Sequence, residues 1–280
     1  MTSLSRKNGH QIQVYDHNAW RADDATVKKV IESDKWDLIA VGGITTAYSS
    51  IKKIVKLSKK VFPKVPISLG GGVLTSIPKE VMTWLPEVDF GFIGESYISF
   101  PEAMSMIDQN KKDWHKINGT ISRKGKEFII SPKRELLQDL DSLPYPAYDL
   151  FPLEEVYFKN SAMMYSEEGM RATRRLDINA SIGCSLICRF CYHLGIAGDM
   201  RYKKDKNGKV INVEFDNPGN YSRVIRYNSP EYVVKLAKFV KEKYNSNYVY
   251  FLDENLMTMD VYSRRTWLSE ICKLWKEYDL

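Results

Sequence analysis

Through the first 112 residues the apolar positions fall alternately into short continuous runs and into helical spacing. Gln11–Tyr15 (QIQVY) reads as a short extended run, and Ala25–Ile31 opens an amphipathic helix that reaches about Lys35. Asp37–Val41 is a nearly continuous apolar strand ending in Gly42-Gly43. Ile51, Ile54, Val55, Leu57, Val61 and Phe62 recur close to helical spacing with lysines on the other face, which predicts a helix over Ile51–Phe62. Pro66–Leu69 is another buried strand, closed by Gly70-Gly71-Gly72, and Pro78 suits the first position of a helix over Pro78–Leu85. Val88–Ile93 and Phe100–Ile107 add a strand and a helix. Continuous apolar strands alternating with helices predict a parallel sheet covered on both faces, a doubly wound α/β domain.

The pattern then changes. Two alternating runs flank Arg123-Lys124-Gly125-Lys126 and read as a hairpin. Leu136–Pro152 carries Pro144, Pro146 and Pro152 among Asp, Leu and Tyr, so it cannot be one regular element. Its many apolar residues need a surface to cover, which makes it an ordered linker. From Arg174 the order restarts: a strand (Leu176–Ser181), a cysteine loop, a helix (Pro230–Tyr244), a strand (Tyr248–Leu252) and a helix (Tyr262–Tyr278). The expected division is a domain at 1–112, a hairpin and linker at 113–170, and a second domain at 171–280.

Composition narrows the classes. The chain is 44% apolar and 27% charged, which is globular rather than disordered. No apolar run approaches the ~20 residues of a membrane helix, and the first residues lack a signal-peptide pattern, so a cytoplasmic protein is expected. The net charge of +6 does not by itself imply nucleic acid. Of 4 cysteines, three lie together: Cys184-Ser-Leu-Ile-Cys188-Arg-Phe-Cys191 has the spacing C-x3-C-x2-C directly after a strand. Three thiolates on one short loop can converge on a metal centre. Cuboidal iron–sulfur clusters are normally held by four thiolates, so three would leave one iron for an exogenous chelator. Zinc prefers paired C-x2-C units, although three ligands and a water would serve, and three unliganded buried thiols are the plain alternative. Cys272 sits on or beside the apolar face of the last helix and reads as a small buried residue. His193 reads as a loop histidine bonded to backbone, and His17 and His115 have no companions at ligand spacing.

The cysteine spacing, with Phe190 before the third cysteine, resembles the radical S-adenosylmethionine (SAM) superfamily. The resemblance implies that Cys184, Cys188 and Cys191 hold a [4Fe-4S] cluster and that Phe190 packs near the adenine of SAM. Arg226-Tyr-Asn-Ser229-Pro230-Glu231 resembles the R-x-x-S-P-E helix start of the cobalamin-linked members, with Ser229 placed to cap the helix. Tyr248–Leu252 runs into Asp253-Glu254-Asn255, which resembles their F-x-D-E-N segment. Asp253 and Glu254, Glu254 foremost, are thereby implied as SAM-binding acceptors, with a solvated strand-end turn the alternative.

The N-terminal unit resembles the cobalamin-binding domain of the same subfamily. The matching residues are Gly42, Gly43, Thr45 and Thr46 after the first strand, Gly70, Gly71 and Gly72 after the next, and Gly94 and Glu95 after the third. Glycines at strand ends let a flat ligand approach the backbone. The D-x-H-x-x-G loop of classical cobalamin proteins has no counterpart, since Asp16 and His17 are adjacent and no glycine follows. Many radical members lack that loop, so a corrin could bind without a protein histidine on cobalt.

The resemblance implies an enzyme with a [4Fe-4S] cluster, SAM and cobalamin as cofactors. It would cleave SAM reductively to a 5′-deoxyadenosyl radical and transfer a methyl group to an unactivated carbon, with cyclisation or rearrangement as alternatives. A small-molecule or peptide substrate and a reductant such as flavodoxin or ferredoxin are the expected partners. An RNA-modifying methylthiotransferase is the second enzyme reading. The basic run Arg201–Lys209 could touch phosphates, but it reads as a solvated loop. A non-catalytic corrin- or cluster-binding module, or one part of a split enzyme, is the third. A full β/α barrel takes ~200 residues or more. Only two barrel strands are visible before Leu280, and the N-terminal unit lacks an opening strand, so a partial chain and a further C-terminal barrel segment as partner are expected.

Overall fold

The computed structural model describes residues 1–162, 166–184, 200–207, 210–215, 225–257, 260 and 266–280. The chain divides into two compact units, Met1–Leu137 and Gln138–Leu280.

In the first unit, short helices α1 (Thr2–Lys7) and α2 (His17–Trp20) precede α3 (Asp24–Ile31). Asp23 caps α3 by accepting from the Thr26 amide at 2.8 Å. The helix stops short of Lys35 because the Trp36 indole donates to the Ile31 carbonyl at 2.7 Å and closes its end. Gln11–Tyr15 forms no strand. It has no ladder neighbour, and Asp16 next to it instead caps α2 through the Ala19 amide.

The sheet runs β1 (Ile39–Gly42), β2 (Ile67–Gly70), β3 (Phe90–Phe92), β4 (Thr120–Lys124) and β5 (Glu127–Ile130), in that spatial order. The first three strands are parallel and the last two antiparallel. Between them lie α4 (Tyr48–Val61), α5 (Gly72–Ser76) and α6 (Pro78–Trp84), and α7 (Ser99–Asp108) follows β3. Register partners share a face, so Val41, Leu69 and Gly91 look one way and Gly42, Gly70, Phe90 and Phe92 the other. The first face packs Ile67 and Leu69 against Ile51 and Val55 of α4, Leu74 of α5 and Met82 of α6. The second packs Phe90 and Phe92 against Ala103 of α7 and Trp114, whose ring stacks on Phe90 at 4.1 Å. The parallel sheet is therefore clad on both faces, as its apolar runs imply.

The hairpin expected within the inter-domain segment pairs instead with β3 and completes this sheet, so the first unit runs on to Leu137. Arg123 of β4 does the local work. Its guanidinium donates to the carbonyls of Met82, Leu85 and Val88, the first two in the last turn of α6 and just beyond it. Carbonyls at a helix end lack intrahelical donors, and that of Leu85 also takes the Val88 amide at 3.1 Å.

The second unit is built around β6 (Arg175–Ile178), which continues through a kink at Ala180 into β7 (Ser181–Ile182). A short helix α8 (Glu167–Met170) precedes it, and β8 (Met200–Lys204) with β9 (Val210–Phe215) forms an antiparallel hairpin after it. Then come β10 (Arg226–Tyr227), α9 (Pro230–Tyr244), β11 (Tyr248–Phe251) and α10 (Trp267–Glu277). β11 lies parallel to β6 with α9 as the crossover, the unit from which β/α barrels are built. Ser229 caps α9 by accepting from the Tyr232 amide at 3.1 Å, with Pro230 in the first turn. Val233, Val234, Leu236 and Val240 of α9 pack with Leu176, Ile178, Trp267 and Ile271.

The proline-rich segment is ordered on this unit. Tyr148 donates through its hydroxyl to the Asp177 carbonyl at 2.8 Å, and Tyr232 donates to the Leu143 carbonyl at 3.0 Å. Tyr145 packs edge-on to Tyr232. Cys272 is exposed rather than buried: it follows Ile271 by one position and so lies about 100° around α10 from the buried stripe.

Arg123→Ala removes a half-buried donor from three carbonyls, of which only Leu85 keeps another, the Val88 amide. It should cost about 2–3 kcal/mol, read as a lowered thermal midpoint of the first unit with near-native circular dichroism.

Candidate functional site

Two sets of strand ends carry the residues singled out by the sequence, one in each unit. In the first unit the carboxyl ends of β1, β2 and β3 lie side by side. Gly42 and Gly70 are register partners. A Cβ on Gly42 would meet only the Gly70 carbonyl, at 3.7 Å, and one on Gly70 would meet nothing within 4 Å. These two positions leave an open, flat stretch of backbone. Gly43 and Gly71 are glycine for a different reason: the two loops cross there. Gly71 has φ +84°, and a Cβ on it would lie 2.6 Å from the Gly43 carbonyl oxygen. A Cβ on Gly43 would press on Ile51 at 3.2 Å. The Val73 amide donates to the Gly43 carbonyl at 3.2 Å and locks the crossing.

Gly72 opens α5, and Thr45 and Thr46 form an exposed single turn with Ala47 directly after β1. Gly94 has φ 74°, and its amide donates to Thr75 Oγ1 at 3.0 Å. Thr75 thus joins the third loop to α5, a role without a signal in the sequence because it rests on a contact 19 residues away. Glu95 turns toward the hairpin exit, where Oε1 accepts from the Leu137 amide at 3.0 Å. All nine expected cobalamin-binding positions lie at or just beyond one edge of the sheet. Seven of them leave or join the crossing loops, Gly94 bridges to α5 through Thr75, and Glu95 ties down the chain after the hairpin.

In the second unit the strand leading to the cysteines is held from both sides. Ala180 is fully buried. Its carbonyl accepts from the Asn228 amide at 2.8 Å, and β10 pairs antiparallel with β7, Arg226 opposite Ile182 and Tyr227 opposite Ser181. On the other side Asp253 receives the Ala180 amide at 3.1 Å to each oxygen, together with the Ser181 hydroxyl. Glu254 Oε2 accepts from the Gly183 amide at 3.1 Å. Gly183 has φ 105°, a conformation for which glycine is suited, and the next residue is Cys184, partly buried. Asp253 and Glu254 thus meet the backbone just before Cys184. The Asn228 carbonyl accepts from the Trp267 indole at 2.9 Å and its side-chain amide donates to Asp141 at 3.0 Å.

Burial pushes the Asp253 carboxyl above the usual carboxylate range, against the pull of the Ser181 and Ala180 donors. Cys188, Cys191, Phe190 and His193 lie outside the described residues. Among the described residues no group of three or more His, Cys, Asp or Glu side chains could hold a metal ion. None of the described helices is long and apolar enough to cross a membrane.

Comparison with known proteins gives a family match for the first unit and a likeness of fold for the chain. Residues 2–103 match the B12 binding domain family. An uncharacterized methyltransferase of Pyrococcus horikoshii, PH0819, is 24% identical over 191 residues, 68% of this chain and 39% of that protein. The anaerobic magnesium-protoporphyrin IX monomethyl ester cyclase of Synechocystis sp. is 22% identical over 200 residues, 71% of this chain and 38% of that protein. Among solved structures, the radical S-adenosylmethionine methyltransferase TsrM from Kitasatospora setae, with cobalamin and a [4Fe-4S] cluster bound, superposes over 99% of this chain and 47% of its own. The TM-score is 0.66 at 14% identity, which is likeness of fold. The chain therefore spans well under half the length of the curated relatives and about half of TsrM. The resemblance to the cobalamin-domain radical SAM subfamily is borne out, and so is the α/β fold class with its parallel sheet.

Two outcomes follow from this geometry. Gly71→Ala should cost about 1–3 kcal/mol through strain at positive φ, whereas Gly70→Ala should leave the thermal midpoint of the first unit almost unchanged. Asp253 holds its proton more tightly folded than unfolded, so the stability it contributes is complete below the unfolded carboxyl value and is lost as pH rises through the folded one. Thermal unfolding from about pH 4 upward should show the wild type falling behind Asp253→Asn.

Proposed function

We propose that this chain is the cobalamin- and cluster-binding part of a radical SAM enzyme that methylates an unactivated carbon. The observation that carries the proposal is the co-occurrence of two things in one chain. A B12-type unit ends its parallel strands in an open glycine edge, and a three-cysteine loop leaves the carboxyl end of the first strand of a β/α unit. When bound, the cluster would supply an electron for reductive cleavage of SAM, and cobalamin would carry the methyl group.

The chain's own residues do the rest. Cys184, Cys188 and Cys191 would hold the cluster as its thiolate donors, and a cluster with three protein ligands would leave one iron for SAM. Phe190 precedes the last cysteine in sequence, the position that the resemblance assigns to the neighbourhood of the SAM adenine. Gly42 and Gly70 open the backbone on which a flat macrocycle can rest without a side chain in the way, and Thr45, Thr46 and the Gly70–Gly72 loop border that surface. Asp16 and His17 are adjacent and lack the spacing and glycine of a D-x-H-x-x-G loop, so the corrin is proposed to bind without a histidine from this segment. The protein's contribution is to bind, orient and exclude water around cofactors that do the chemistry. A cluster of this kind needs a reducing compartment, which fits the cytoplasm, and a low-potential donor such as flavodoxin or ferredoxin. A small molecule or peptide is the substrate class. Cyclisation is the second reading, favoured by the likeness to the Synechocystis cyclase.

Anaerobic reconstitution with iron, sulfide and hydroxocobalamin should load about four irons per chain and retain the corrin. SAM and dithionite should then yield 5′-deoxyadenosine. Replacing Cys184, Cys188 and Cys191 together by alanine should abolish both the iron and the deoxyadenosine. Gly70→Ala should weaken corrin retention without lowering stability. Iron retained by the triple variant, or no corrin retained by the wild type, would overturn the corresponding half of the proposal.

A further inference from the structure

The acidic pair after β11 has two possible employments. An acceptor for the ammonium of SAM should present its oxygens to open space. The carboxylate of Asp253 is instead turned back on the chain, where three hydrogen bonds from Ala180 and Ser181 engage both its oxygens. Glu254 is exposed as a residue, and its Oε2 accepts from the Gly183 amide at 3.1 Å. The residues they hold come from 70 or more positions earlier in the sequence and end one residue before Cys184.

The need for such a hold is physical. β11 pairs with β6 as far as Ile178, and the Leu252 amide gives the last ladder bond to the Ile178 carbonyl at 2.9 Å. Beyond it, the Ala180 amide is buried and would be orphaned, a loss that folded chains almost never accept. Gly183 then turns through positive φ, where glycine has more freedom than any other residue and most entropy to lose. A loop that must bring three thiolates to one cluster gains from having its first residues fixed in advance.

We propose that Asp253 and Glu254 are positioning residues that fix the main chain of Ala180–Gly183, and so the direction in which the cysteine loop leaves the strand, rather than acceptors for the ammonium of SAM. This rests on the cluster assignment above for its consequence, but not for its geometry. The hold is made by oxygen acceptors and not by net charge, so an amide oxygen serves as well.

The test compares Asp253→Ala, Asp253→Asn, Glu254→Ala and Glu254→Gln with the wild type by three measurements. Amide hydrogen exchange of the apo chain reads the hold directly. It should speed about tenfold or more at Ala180 in Asp253→Ala and at Gly183 in Glu254→Ala, and stay near wild type in the Asn and Gln variants. After reconstitution, iron retained against a chelator should fall severalfold in the alanine variants and recover in the amide variants. The change that SAM makes in the electron paramagnetic resonance spectrum of the reduced cluster should survive in Asp253→Asn and Glu254→Gln. If an amide variant keeps its exchange protection and its iron but loses that SAM-induced change, the carboxylate charge binds the ligand and the proposal is overturned. Unchanged protection in the alanine variants overturns it as well. A wild type that takes up no iron defeats the cluster assignment, and the exchange arm then decides the positioning role alone.

Discussion

Where a parallel strand ends, its last amide and carbonyl groups lose the ladder, and a buried group must find another partner or cost roughly 1–3 kcal/mol. The second unit meets this demand at Ala180, which has no exposure and two main-chain groups to satisfy. Its carbonyl goes to Asn228, just past β10, and its amide to Asp253, just past β11. Neither partner is near Ala180 in sequence, so the kink that sends the chain toward Cys184 exists only once α9 and β11 have folded onto β6. The approach to the cysteines is thus a product of tertiary structure, although the cysteines themselves are local.

The first unit answers the same demand without side chains. Gly43 and Gly71 let two loops cross so closely that backbone satisfies backbone, through the Val73 amide on the Gly43 carbonyl. That solution leaves the space over Gly42 and Gly70 clear, whereas the carboxylates of the second unit fill the space beside their strand. The two units thus finish their strands in two ways, one with bare backbone and one with side-chain carboxylates.

What the sequence made legible follows the same division. Local signals were readable: Ser229 and Pro230 start α9, continuous apolar runs mark β1 to β3, and the glycines after them mark the open edge. Signals that depend on a distant neighbour were not. Gln11–Tyr15 alternates like a strand but lacks a ladder partner, and the hairpin reads as a connector until β3 is seen to pair with it. Cys272 sits among apolar residues in sequence, yet one step past Ile271 carries it off the buried stripe. Asp253 and Glu254 read as free acids at a strand end because the backbone they hold lies some 70 residues away. Asn228, Thr75 and Asp141 gave no signal at all.

Asp141 carries the argument one step further. Its Oδ1 accepts from both the Asn228 side chain and the Ser229 amide, each at 3.0 Å, and Asn228 in turn holds Ala180. The proline-rich stretch is therefore more than covering for the apolar surface of α9. Through Asp141, Asn228, Ala180 and Asp253 a continuous line of hydrogen bonds runs from that stretch, through the kink at Ala180, to the residue just past β11. Asp141 is exposed, but Asn228 and Ala180 are buried, and a buried member that loses its neighbour keeps an unmet donor or acceptor. Losses at Asp141 and Asp253 should consequently be less than additive, because either one already loosens the backbone that the other holds. Three prolines limit Leu136–Pro152 to single 3-10 turns, Asp141 lying in the first of them (Leu140–Ser142), so a segment without α-helix or strand stiffens the chain that leads to Cys184.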